Sequence, residues 1–275
     1  MRKALVLLLV LAASINADFL IERVDVTVSD VRTDGSAKVH ESIKFIMYGN
    51  YSSSIYDSGI SNNELSFWST NTGLKDVKFH VNPSTVDIRD LRLRPQPRTK
   101  CNPIQGICHG ELILDYRAYP TYTDNQTLEM ESGTGLFTIE KYKPRTRRYT
   151  INPAALSFTT TLEGNIILDD NVYLTINPPD EAVVLDINPQ PTDSNIPLPA
   201  SIDTLTWTDI VLVKFSLIFD VEDSIDKEVS DFFGSIFLGT SRVLGSPQGP
   251  AVIALVIILI GTFLYITMAK RRGEE

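Results

Sequence analysis

From residue 24 the chain alternates: Val24, Val26 and Val28 are apolar, while Asp25, Thr27 and Ser29 are polar. After Thr33-Asp34-Gly35-Ser36 the alternation resumes, with Val39, Ile43, Phe45 and Met47 set against Lys38, His40, Ser42 and Lys44. Successive side chains of a strand point to opposite faces, so two period-2 runs joined through Asp-Gly predict a β-hairpin. Further strands are predicted at 74–81, 85–93, 110–116, 135–142, 156–162, 165–168, 172–176 and 182–187. One long strand follows at 205–221, where Val211, Val213, Phe215, Leu217, Phe219 and Val221 alternate. Short strands at near-regular spacing, punctuated by Asn-Pro, Pro-Pro and Asp-Gly, predict a mainly β fold of one or two antiparallel β-sandwich domains. Helical periodicity is absent until residue 224. There Ile225, Val229, Phe232, Phe233, Ile236 and Phe237 line one face of an amphipathic helix, assigned to 223–245, with Asp223 as N-cap. Its polar face is mostly acidic (Asp226, Glu228 and Asp231 against Lys227), which favours packing on protein over an anionic membrane surface.

The densest apolar runs lie at the two ends. Met1-Arg2-Lys3, the apolar stretch 4–13 and the small residues up to Ala17 have the layout of a secretory signal, assigned to 1–17. Ile15 departs from the small-residue rule at the −3 position, which leaves an uncleaved signal anchor as the competing reading. Residues 251–269 carry no charge. At 1.5 Å rise, about 19 residues span roughly 28 Å, close to the hydrocarbon thickness of a bilayer. Lys270, Arg271 and Arg272 follow at once and stop transfer on the cytoplasmic side, in a tail of 270–275. The expected address is therefore a cell membrane, with a single C-terminal transmembrane helix, the N-terminal domain outside and the C-terminus inside. Membrane lipid is the expected partner of the span, and an envelope or membrane protein that of the amphipathic helix. Nucleic acid is not an expected partner.

Charge refines the domain organisation. Residues 75–150 carry 13 Lys/Arg against 9 Asp/Glu, whereas 151–250 carry 3 against 15. A boundary in the polar stretch 125–134 accounts for the change and divides the chain into sandwich domains at 18–130 and 131–222. A single continuous sandwich is the alternative.

The chain has two cysteines, Cys101 and Cys108, bracketing a segment whose Pro103 and Gly106 suit a turn. In an exported chain they are expected to form a disulfide, which at so short a loop stabilises by about 2–2.5 kcal/mol in the chain-entropy model. Asn50-Tyr-Ser52 and Asn125-Gln-Thr127 match the glycosylation pattern. Among the histidines, His40 and His80 fall on polar faces of predicted strands and His109 adjoins the disulfide, so each reads as a solvated side chain. No HExxH, GxSxG, GxxxxGK[ST] or GxGxxG motif occurs. No residue is nominated as catalytic, cofactor-binding or metal-ligating. The acidic groups Asp169-Asp170-Asn171 and Asp220, Glu222, Asp223, Asp226 read as a turn and a helix start. The basic runs Arg89, Arg92, Arg94, Arg98, Lys100 and 141–148, with Tyr142 and Tyr149 interleaved, read as paired within the chain or solvated.

The stretch 21–47, with its Val-Asp-Val-Thr-Val, Asp-Gly-Ser and Val-His-Glu-Ser-Ile runs, resembles the opening of a group of uncharacterised prokaryotic, largely archaeal, single-pass membrane proteins. Leu205-Thr-Trp207 and the alternating run ending at Val221 are similar to their last ectodomain strand. The resemblance implies a β-sandwich ectodomain ahead of a C-terminal anchor and assigns no functional residue. Three functional classes fit: a binding or scaffolding surface protein, an exported hydrolase with a non-local active site, and an accessory subunit of a larger membrane complex.

Overall fold

The predicted hairpin forms, from two strands of twelve residues each. A computed structural model of the chain describes residues 18–102, 104–121, 135–143, 145–192 and 194–222. In it β1 (Asp18–Ser29) and β2 (Ala37–Tyr48) pair antiparallel through Asp18↔Tyr48 and Ser29↔Lys38. The turn closes as Asp-Gly predicts. Gly35 takes φ +80° and the Ser36 N–H donates to Asp34 Oδ1 at 2.9 Å. The chain then forms two short helices, α1 (Gly49–Gly59) and α2 (Leu65–Thr72), before returning to strands β3 (Val86–Pro95), β4 (Thr99–Asn102) and β5 (Ile107–Pro120).

The helices were not expected. Their periodicity is weak because α1 is rich in serine and neither reaches the length at which a helix stands alone. Aromatic packing holds them instead. Tyr56 of α1 lies edge-on to Phe45 of β2 at 5.6 Å and against Trp68 of α2 at 5.2 Å. The Tyr56 hydroxyl also bonds the Glu111 and Gln96 backbone, fastening α1 to the sheet. Conversely, the strand predicted at 74–81 does not form: the segment is irregular apart from a bridge between Val81 and Leu156.

The second half supplies β6 (Phe137–Lys143), β7 (Thr146–Ile151), β8 (Thr159–Thr160), β9 (Ile166–Leu168), β10 (Val172–Ile176), β11 (Ala182–Asn188), β12 (Ala200–Ser201), β13 (Leu205–Trp207), β14 (Ile210–Leu212) and β15 (Ser216–Glu222). The fold is mainly β, in several sheets. A seven-stranded sheet runs β13-β10-β1-β2-β5-β3, with β4 also on β5. A five-stranded sheet runs β12-β11-β15-β7-β6, and a three-stranded one β14-β9-β8. Because β10 pairs parallel with β1, the largest sheet takes strands from either side of residue 130, and 18–222 falls within one compact unit.

The long strand predicted at 205–221 is three strands, one in each sheet. Asp209 and Lys214 both take φ +50°, breaking the ladder twice and re-aiming the side chains. Leu212, Phe215, Leu217 and Phe219 are therefore buried, while Val211 and Val213 are exposed.

The signal at 1–17, Asn125, the helix at 223–245, the span at 251–269 and Lys270, Arg271 and Arg272 lie outside the described residues. Among the described residues no helix is long and apolar enough to cross a membrane.

Gly110 faces Phe45 across β2 and β5, and a Cβ there would lie 2.8 Å from the Phe45 ring and 2.9 Å from Tyr56. Gly110→Val is therefore expected to overpack this contact and cost about 1–3 kcal/mol. Urea unfolding of the full chain in detergent checks it; an unchanged midpoint would contradict the packing.

Candidate functional site

One face of the seven-stranded sheet is apolar, and a carboxylate sits in it. On β2 the buried row reads Ala37, Val39, Glu41, Ile43, Phe45, Met47. Withdrawing a carboxylate from water costs several kcal/mol unless donors replace the lost hydration. Three do so. The His80 backbone N–H donates to Oε1 at 3.0 Å, His80 Nδ1 to Oε2 at 2.8 Å, and the Tyr116 hydroxyl to Oε1. Tyr116 comes from β5, diagonal to Glu41, whose direct partner is Leu114. Burial first, and then the Glu41 charge, push the Tyr116 phenol well above its ordinary value, so it stays a donor.

The same contacts hold the chain that crosses over the sheet. The His80 carbonyl accepts from the Ser157 N–H at 2.7 Å, the Asn82 N–H donates to the Ala155 carbonyl at 2.8 Å, and the His80 ring packs on Phe158 at 5.2 Å. His80 is buried, contrary to the solvated position expected for it. Its segment spends its donors on Glu41 and Ala155, and the His80 carbonyl on Ser157, rather than on a strand ladder. General acid–base chemistry requires a group free to reach a substrate proton. Both Glu41 oxygens are engaged by the protein, and what the arrangement accomplishes is positioning.

The opposite face of the sheet is polar and charged. On it, His40 of β2 meets Asp115 of β5 at 2.8 Å, and Arg94 of β3 pairs with the same carboxylate. Arg117 pairs with Asp30, whose carboxyl it holds below the usual range. Lys38, Asp90, Arg92, Arg94, Asp115 and Arg117 line an open groove of about 650 Å³ here.

Most of the basic run is paired within the chain. Arg89 meets Asp87 at 2.7 Å and covers the Tyr119 ring, and Arg98 meets Asp57 at 2.7 Å. Lys100 is exposed in β4. Arg148 of β7 grips Asp220 of β15 at 2.8 and 3.0 Å and lies over the Tyr142 ring, joining the basic part of the chain to the acidic part. Tyr149 is not a surface aromatic but is buried, stacked on Phe219 at 5.0 Å.

The remaining sequence-derived positions fall as follows. Cys101 and Cys108 form the disulfide, tying β4 to β5. Asn50 is exposed in the first turn of α1, while the Ser52 hydroxyl of its triplet is buried, donating to the Tyr48 carbonyl at 2.8 Å. His109 bonds Glu22 at 2.8 Å. Asp169, Asp170 and Asn171 make the turn between β9 and β10.

No family model matches the chain, and no curated protein does. Among solved structures, native leukotriene A4 hydrolase from Saccharomyces cerevisiae is similar at a TM-score of 0.30 and 10% identity, over 75% of this chain and 29% of that one. The yeast enzyme in complex with bestatin gives 0.29 and 12%, over 75% and 29%. The chain thus spans less than a third of those proteins, and a likeness of this degree carries nothing to fold or chemistry.

Removing the buried carboxylate strands His80 and Tyr116 without an acceptor, so Glu41→Ala is expected to cost about 3–5 kcal/mol. Tyr116→Phe, which leaves two donors in place, is expected to cost about 1–2 kcal/mol. Denaturant unfolding compares them, and a smaller loss for the Glu41 variant would refute the clamp. On the outer face, burial raises the Asp115 carboxyl, but the hydrogen bonds and positive charges of His40 and Arg94 outweigh it and hold it below its ordinary value. Such a depressed carboxyl stabilises the fold above its unfolded pKa of about 3.9 and loses that contribution as the pH falls through the folded value. Asp115→Asn should accordingly flatten the acid limb of a stability–pH curve below about pH 4.

Proposed function

We propose that this chain is a single-pass membrane protein whose extracytoplasmic β-sandwich ectodomain binds or scaffolds other components of the cell envelope. The ectodomain is held at the membrane by the apolar run 251–269 and its Lys270-Arg271-Arg272 stop. The observation that carries the extracytoplasmic address is the Cys101–Cys108 disulfide, since such bonds persist in oxidising compartments and are rare where cytosolic reductants reach them. A recognition role is favoured over catalysis by the state of Glu41, whose oxygens are taken by its own fold. A rigid sheet with a charged solvent-facing side favours it too, because such a side presents side chains for contact without moving. In this reading the apolar positions of the run 223–245 meet an envelope or membrane protein partner.

The chain's only thiols are the two in the bond, which makes the address directly measurable. In intact cells expressing the full chain, a membrane-impermeant maleimide is expected to leave it unlabelled, and to label it after an impermeant phosphine reductant. Labelling that requires permeabilised cells would refute the extracytoplasmic placement.

A further inference from the structure

We propose that the groove on the solvent-facing side of β2, β5 and β3 is a binding site for an acidic polysaccharide, which Lys38 and Arg92 hold by charge. The inference rests on the extracytoplasmic reading above and names the ligand class of that ectodomain.

The groove is built by a β-bulge. Arg89 stands opposite Arg117 and Arg92 opposite Asp115, so three residues of β3 advance against two of β5. In a regular strand Arg89 and Arg92 would point to opposite faces. The extra residue turns Arg92 and Arg94 onto the same side as Arg117, Asp115 and Lys38, while Leu93 goes to the core. Asp90 takes φ +57° to make this possible, a conformation unfavourable for a residue with a side chain.

Four cations and two carboxylates line the result. Arg94 is neutralised by Asp115 and Arg117 by Asp30. Among the described residues Asp90 has no ion-pair partner and offsets one cation; Lys38 and Arg92 have none either, and both are exposed. They belong to strands separated by β5, so their backbones lie about 10 Å apart across the sheet. Two unpaired cations at that separation on an open face suit the repeated anionic groups of an extended chain better than one compact phosphate.

The unpaired carboxylate chooses among polyanions. Asp115 is already taken by His40 and Arg94. Asp90 repels a purely anionic surface, yet accepts hydrogen bonds from hydroxyls, which a sugar acid carries beside each charge. A lipid headgroup layer would be met by several apolar side chains flanking the cations; here the uncharged residue lining the groove, Tyr116, is buried and bound to Glu41, and beside Arg92 the single exposed Leu91 is too little apolar surface for that.

The test uses the full-length protein in detergent and immobilised polyuronate, with neutral dextran as control. Wild type should bind polyuronate and not dextran, more weakly as salt rises past about 0.1 M. Lys38→Gln with Arg92→Gln should lose about tenfold or more in affinity. The charge-preserving pair Lys38→Arg with Arg92→Lys should keep it, as should Lys75→Gln with Lys214→Gln elsewhere on the surface. Thermal melting confirms that each variant is folded. Equal binding by the Lys38/Arg92 glutamine variant, no polyuronate binding, or binding only to phosphatidylglycerol vesicles would each overturn the proposal. Thiol labelling in the same cells separates the two failures. Cysteines labelled outside with no polyuronate bound overturn the groove alone, whereas cysteines shielded inside the cell overturn the reading beneath it.

Discussion

A carboxylate placed on the apolar face of a sheet must recruit donors from whatever crosses that face, and much of this fold follows from how Glu41 does so. β2 presents it and β5 contributes the Tyr116 hydroxyl. The crossing segment contributes a backbone N–H and a ring nitrogen from one residue, His80. Satisfying the charge therefore sets the height, direction and register of a segment that has almost no regular structure of its own. Through the Val81–Leu156 bridge and the Ser157–His80 bond, that segment in turn fixes where the chain from the second half approaches. An apolar residue at position 41 would leave the segment bonded to 154–157 but tied to the sheet beneath it without those directional contacts.

The second organising device is the route of 205–222. Within eighteen residues the backbone leaves the seven-stranded sheet, serves the three-stranded one and enters the five-stranded one, turning at Asp209 and Lys214. With β10 alongside β1, this stitches the late strands to the first, so a division of charge along the sequence does not correspond to a division of the largest sheet. The Arg148–Asp220 pair shows the charge asymmetry at work inside the five-stranded sheet, between adjacent strands.

How legible was this in the residues? The hairpin was, because period-2 alternation and Asp-Gly agree; so were 172–176 and the disulfide. The clamp was also written there, though unread. Glu41 occupies the core-facing parity of β2, with Val39, Ile43, Phe45 and Met47, and a carboxylate in that row demands buried donors. What alternation does not encode is the partner: nothing local to His80 points to Glu41, 39 residues away. The helices at 49–72 were illegible for a related reason, since their stability comes from rings on other elements. The run 205–221 misled because alternation is blind to a left-handed residue, and one at Asp209 was enough to exchange Val211 for Leu212 in the core.

The parallel pairing of β1 with β10 has a consequence in time. Val24 to Val28 find their partners in Val172 to Ile176, so roughly 150 residues must be made before that edge of β1 can close. At about 5–20 residues per second, the wait is roughly seven to thirty seconds. Throughout it a long, half-apolar hairpin stands with that ladder edge open. Protection of that edge during biosynthesis is thus as much a requirement of the fold as any contact in the finished molecule.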